Sequence, residues 1–250
     1  MNETRSGSEV LDLLMSHRSI RAFRDEPVPA EVLHAIVRAA QQASTSSNMQ
    51  AYSVIRVTDS GLRSELAAVA GQQQYVETCP EFLVWCADME RLRIAAGLDP
   101  SAMPCNAEAY TIAVIDAALA AQNAAVAAES LGYGVCYIGA VRNDIAKTAA
   151  LLGLPKRVVP LFGMCVGRPD QAPLLRPRLP LRAVLHENRY DASAYAGTVA
   201  DYDEAHAAYL KARSGGRQSA GWSEQMRDRL SRPPRRIGRF LKEQGFELTN

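Results

Sequence analysis

Ile115-Asp116-Ala117-Ala118-Leu119-Ala120-Ala121-Gln122-Asn123-Ala124-Ala125-Val126-Ala127-Ala128-Glu129-Ser130-Leu131 belongs to the longest regular pattern in the sequence, Tyr110 to Leu131, and is apolar nearly all the way round. A helix of that kind has to be buried on most faces, inside a core or against a second chain. Its many alanines allow close backbone approach, which favours a subunit interface for part of it. Gly132-Tyr133-Gly134 ends the helix, and Val135-Cys136-Tyr137-Ile138-Gly139 reads as a strand. Outward from here helices and strands alternate. Tyr52 to Val57 and Glu81 to Ala87 are short β-branched or aromatic runs that read as buried strands, with a helix at Leu62 to Ala70 between them. Ala30 to Ala40 follows Pro27-Val28-Pro29 at helical spacing, with proline where a first turn tolerates it. On the other side, a helix near Ile145 to Leu152 stops at Gly153-Leu154-Pro155, and Val158 to Gly167 supplies another strand. From Arg168-Pro169 to Leu179-Pro180 the chain is Pro-rich and leads into a polar arm, expected to lie over the surface rather than make a separate core.

The 250 residues sit at the upper end for one domain, so one domain with extensions is expected. Hydrophobic residues at 48% and charged residues at 22% are ordinary globular values, and a net charge of +1 argues against whole-surface attraction to nucleic acid or membrane. No apolar run is read as reaching the roughly 18 residues of a membrane helix, and no signal pattern opens the chain, which predicts a cytoplasmic protein. Five cysteines at irregular spacing fit neither a disulfide framework nor a CxxC zinc site. Cys105, in the loop-like stretch from Gly97, is read either as a small core residue or as a reactive thiol. The four histidines form no i, i+4 pair, which argues against a metal site. GxGxxG, GxxxxGK, GxSxG and HExxH patterns are all missing, so a dinucleotide fold, a phosphate-loop ATPase, a serine hydrolase and a zinc protease lose weight.

His17-Arg18-Ser19-Ile20-Arg21 follows a short helix at Val10 to Met15 and packs two guanidinium groups, a hydroxyl and an imidazole into five residues. That composition suits a phosphate, whose oxygens match the planar Arg fork. The other reading is a basic last turn complementing a helix dipole. If the segment is extended, Ser19 and Arg21 share one face while Arg18 and Ile20 share the other. Ser44 to Gln50 and Gly71 to Tyr75 are dense in hydroxyls and amides, as solvated loops and cofactor surroundings both are. Tyr137-Ile138-Gly139-Ala140 ends a strand, either as an ordinary turn or as backbone presented to a ligand. Arg176-Pro177-Arg178 and Arg213-Ser214-Gly215-Gly216-Arg217 are further cationic clusters, each readable as anion-binding or as solvated surface. Arg232-Pro233-Pro234-Arg235-Arg236 is read as solvated.

In unbroken order from about Glu9 to the C-terminus, several of these pieces resemble the flavin-dependent nitroreductase family. They are His17 to Phe23, Ser44 to Gln50, Gly71-Gln72-Gln73, Ala121-Gln122-Asn123, Ala127 to Gly132, Tyr137-Ile138-Gly139, Arg142-Asn143, Leu161-Phe162-Gly163, Pro177 to Pro180 and His186-Glu187-Asn188. The branch resembled is that of the oxygen-insensitive NADPH nitroreductases and NADPH flavin reductases. The resemblance implies an α+β fold with a central, mostly antiparallel sheet packed by helices, in an interlocked homodimer with one FMN at each end of the interface. It implies residues 1–180 as the FMN-binding core and 181–250 as an arm that wraps the core or the partner and contributes to the nucleotide site. By the same resemblance, His17, Arg18, Ser19 and Arg21 hold the FMN phosphate and ribityl chain, and Arg176 and Arg178 complete the anion site. Thr45 and Ser46 reach the partner's flavin, Gln73 meets the ring or ribityl chain, and Tyr137, Ile138 and Gly139 face the isoalloxazine. Arg213 and Arg217 are expected at the 2′-phosphate of NADPH. The pattern departs at Ala140, where the family usually has a second Gly, and at Arg176, where it commonly has Lys.

The activity implied is ping-pong, two-electron reduction of nitroaromatics, quinones or related acceptors by NADPH, with the chemistry on the flavin N5 and no protein nucleophile. Two other readings stand beside it: an NADPH:flavin oxidoreductase that supplies reduced FMN, and a non-catalytic flavin-binding redox sensor. No metal, nucleic acid or membrane partner is expected.

Overall fold

Runs rich in Val, Ile, Tyr and Phe pair into one sheet, and the helices between them cover its faces. The structure, a computed structural model, describes residues 7–103 and 105–248, so Pro104 of the loop before Cys105 lies outside them. In chain order the elements are α1 (Glu9–Met15), α2 (Ala30–Gln41), β1 (Tyr52–Val57), α3 (Ser60–Val69), α4 (Gln74–Thr78), β2 (Glu81–Asp88), α5 (Glu90–Ala95) and α6 (Ala107–Ser130). Then come β3 (Gly134–Ile138), α7 (Ile145–Leu151), β4 (Val158–Gly167), α8 (Tyr195–Arg213), α9 (Trp222–Ser231) and α10 (Ile237–Glu243). The sheet order is β1-β2-β4-β3, every pairing antiparallel. This is the α+β architecture that the resemblance implied.

β2 is buried along its whole length, because both of its faces are covered and the polar alternation of a half-exposed strand has no place there. Leu83, Trp85, Met164 and Val166 pack on one side with the alanines of α6 and with Leu33 and Ile36 of α2. Phe82, Val84, Cys165 and Ile138 pack on the other with Leu66 and Ala67 of α3 and Val76 of α4. α6 starts at Asn106, whose side chain accepts the Ala109 N–H at 2.9 Å. Ala113, Ala117, Ala120, Ala121, Ala124 and Ala128 recur at helical spacing and are fully buried. The opposite face is open: Ile115 is 50% and Leu119 43% exposed. The expectation that no run reaches membrane length is corrected, since α6 is long and apolar enough to cross one. Its apolar character is accounted for by the alanine stripe packed in the core. Gly132 ends the helix with φ +77°, and the Tyr133 N–H closes onto the Ala128 carbonyl at 2.9 Å.

The chain divides into two compact units, one running to Gln171 and resuming at Arg235, the other spanning Ala172–Pro234. In the first, Tyr110 meets the edge of Phe246 with centroids 5.3 Å apart, and the Glu247 N–H donates to the Cys105 carbonyl at 2.8 Å. The second has its own small cluster, in which Tyr202 and His206 of α8 are buried and Trp222 of α9 packs edge-on to Tyr202. The Ser223 N–H donates to Asp203 at 2.7 Å, and the hydrogen bonds from Ser223 hold that carboxyl below its ordinary range. Tyr202, His206 and Leu210 form a stripe at i, i+4 spacing, which alanines on the other faces hide.

Candidate functional site

Arg18, Ser19 and Arg21 are held by backbone pairing to β3. Ser19 bridges Val135 in parallel, and the Ile20 N–H donates to the Val135 carbonyl at 2.9 Å. Gly134 permits this approach, because a Cβ there would fall on Ile20 Cγ1 and lie 2.8 Å from Ile20 Cβ. Ile20 is buried and Arg21 exposed, as alternation in an extended segment requires. The Arg18 guanidinium donates to the Ser16 carbonyl at 2.8 Å, and His17 Nδ1 lies 2.6 Å from Glu129 Oε1. Arg21 stands beside Tyr75, whose hydroxyl donates to Gln73 Oε1 at 2.8 Å, so Gln73 joins the cluster through Tyr75. Burial raises the Tyr75 phenol pKa, and Arg21 opposes that shift. Among the described residues neither Arg18 nor Arg21 is ion-paired to a carboxylate.

Tyr137 is half-buried near the end of β3, its ring edge-on to Phe162 and its hydroxyl 3.3 Å from Gln122 Oε1. Burial pushes its phenol far up, and the Glu129 charge adds to the shift. Ile138 is buried, and a 3-10 turn runs from Gly139 to Arg142.

Ser46, which Thr45 precedes in extended backbone, belongs to a second cluster. Ser46 N–H and Ala51 N–H each donate to the Asp116 carboxylate at 3.0 Å, pinching the loop between them. Within it Ser47, Asn48 and Gln50 all take positive φ, a strained run that Asp116 clamps. Asp116 and Glu129 are thirteen residues apart on α6, which at the helical rise is roughly 20 Å. The chain therefore holds His17 at the C-terminal end of α6 and Ser46 near the middle of the same helix.

The remaining cationic candidates lie in the second unit. Arg176 sits over the Tyr209 ring at 5.6 Å, and Arg178 is exposed. Arg213 closes α8, and Arg217 Nε donates to the Ser214 carbonyl at 3.0 Å; both arginines are exposed. Cys105 is buried, and burial raises its thiol pKa, which favours the core reading over the reactive one. Sequence reading assigned no role to Tyr75, Asp116 or Glu129. For Asp116 the signal was present: a carboxylate inside an alanine run that has to be buried needs partners.

The Nitroreductase family model matches residues 14–168, and the model for that family's C-terminal domain matches residues 176–249. The chain is 41% identical over 245 residues to the FMN reductase (NADPH) of Bacillus subtilis strain 168, covering 96% of this chain and 98% of that protein. It is 43% identical over 241 residues to the oxygen-insensitive NADPH nitroreductase of Salmonella typhimurium, covering 96% and 98%. Its structure superposes on that of the NADPH:FMN oxidoreductase from Vibrio harveyi complexed with NAD+ with a TM-score of 0.88 and 38% identity, covering 96% and 99%.

Proposed function

The chain belongs to the nitroreductase family, and from that premise we propose that it is an NADPH-dependent FMN oxidoreductase. It reduces nitroaromatics, quinones or related acceptors by two electrons in ping-pong fashion. The observation that carries this reading is the 17–21 segment seated on β3, with Arg21 free of any carboxylate among the described residues and adjacent to Tyr75 and Gln73. This donor set fits FMN. A guanidinium fork with a nearby Ser19 hydroxyl suits a phosphate, the Gln73 amide suits a ribityl hydroxyl or ring edge, and the Tyr137-Ile138-Gly139 strand end offers backbone to a planar ring. When bound, FMN supplies the two-electron exchange, accepting hydride from NADPH and returning it to the acceptor. The chain's own residues bind and orient, and none serves as a nucleophile. The roles of Arg176 and Arg178 at the phosphate rest on the sequence resemblance alone. Arg213 and Arg217 are proposed at the 2′-phosphate of NADPH, which their exposure at the end of α8 and just beyond it supports.

The working unit is proposed to be a cytoplasmic homodimer. Thr45 and Ser46 lie roughly 20 Å along α6 from the level of His17, which supports their serving the partner's flavin rather than their own. Exposed Ile115 and Leu119 on α6 give the second chain an apolar face to cover. Anaerobic mixing of the purified protein with NADPH tests the reading. Rapid bleaching of bound flavin is expected, and flavin that binds but is not bleached would make the protein a sensor instead. Turnover with free FMN against a nitrofuran and a quinone then separates a flavin supplier from a reductase of those acceptors.

A further inference from the structure

Glu129 plays no part in the assignments above, yet its carboxylate touches one flavin candidate and stands near another. We propose that Glu129 is a positioning residue for the flavin site: it accepts His17 Nδ1–H and so turns the Nε2 edge of the imidazole toward FMN. The proposal rests on the FMN reading. A carboxylate only accepts hydrogen bonds, so at 2.6 Å from Glu129 Oε1 the Nδ1 atom must carry the proton, and Nε2 is left as the nitrogen that can meet a ligand. The contact is shielded, the side chains of His17 and Glu129 being 27% and 12% exposed, so water and salt weaken it less than an open surface pair.

The place of Glu129 breaks a local rule. It lies in the last turn of α6, which carries no basic residue, where a negative charge opposes the helix dipole. Such a violation is expected where function sets the residue. The charge of the same carboxylate reaches Tyr137, whose hydroxyl donates to Gln122 Oε1 at 3.3 Å. One shielded acid thus contacts the imidazole of the 17–21 segment and acts by its charge on the phenol near the strand end.

The test titrates FMN into deflavinated wild type, Glu129→Gln, Glu129→Ala, His17→Ala and the double variant His17→Ala/Glu129→Ala, with imidazole 15N shifts recorded on the flavin-free proteins. Glu129→Ala is expected to weaken FMN about tenfold, the scale of one charge-assisted hydrogen bond. Glu129→Gln still presents an oxygen and should stay within about threefold of wild type. The double variant should bind no worse than His17→Ala, because Glu129 acts through His17. The 15N spectrum should show Nδ1-protonated His17 in wild type and Glu129→Gln but not in Glu129→Ala. Additive losses in the double variant, wild-type affinity in Glu129→Ala, or an unchanged imidazole signature in Glu129→Ala each overturns the proposal. A wild-type protein that takes up no FMN overturns the functional reading instead, and the imidazole signature tells that failure from a failure of the His17–Glu129 link.

Discussion

Gly134 sets whether the 17–21 segment can lie on β3 at all. Gly134→Ala drives a methyl group into Ile20, and overpacking of this kind costs about 1–3 kcal/mol unless the segment lifts away. A lower melting temperature together with weaker FMN uptake is expected, and neither moving would show that the seat adapts. Arg21→Ala removes a guanidinium that no carboxylate among the described residues neutralises, so it should weaken FMN by about ten- to a hundredfold, or roughly 1.5–3 kcal/mol, in a fluorescence titration. Asp116→Ala strands two backbone N–H groups, those of Ser46 and Ala51, at about 1–3 kcal/mol each if they stay dry. Its urea midpoint should fall well below that of Asp116→Asn, which keeps one acceptor oxygen.

Between elements, Glu90 of α5 receives Arg93 from its own helix and Arg157 from just before β4, at 2.8 and 2.7 Å. The bonds from Arg93 and then Arg157 hold its carboxyl down to about 2, against an ordinary value near 4.5. A pKa depressed by folding means the unfolded chain binds the proton more readily. The pair's contribution is therefore present above about pH 4.5 and is lost as pH falls toward 2. Glu90→Gln should flatten that part of the stability profile in urea melts between pH 5 and 2.5 and leave the rest of its shape alone. At the end of α8, replacing Arg213 and Arg217 together with Ala should raise KM for NADPH while NADH kinetics and the acceptor half-reaction hold, since the proposed contacts to the 2′-phosphate would act away from the reacting atoms. Equal loss with both nucleotides would return these arginines to a structural role.

For the whole molecule, the decisive quantity is the apolar face of α6. Ile115 and Leu119 are exposed in one chain, and the proposed homodimer covers them with a second. Sedimentation should give a dimer. Leu119→Arg, which puts a charge into that face, should yield a monomer with reduced FMN retention. A monomeric wild type that keeps FMN, or a Leu119→Arg dimer unchanged in both respects, would refute this arrangement.

The sequence by itself determined the strands and the long helix. β1 and β4 run over Tyr52–Val57 and Val158–Gly167 as read, and β2 extends one residue further to Asp88, because β-branched and aromatic runs bounded by turn residues are local signals. α6 begins at Ala107, a turn before the pattern at Tyr110 was recognised, since its Asn106 cap precedes the apolar run. The short α4 and α5 and the alanine-masked α8 were missed for want of a clear stripe, and α9 and α10 went unread in the polar arm. The chemistry of His17 to Arg21 was legible as residue types. Only the tertiary structure decided its partners: His17 meets Glu129 and Ser46 meets Asp116 across long stretches of chain, and the chain from Arg235 returns to the first unit. Periodicity and turn residues act over a few positions, whereas the pairing of a buried charge depends on which distant segment packing brings within hydrogen-bond reach.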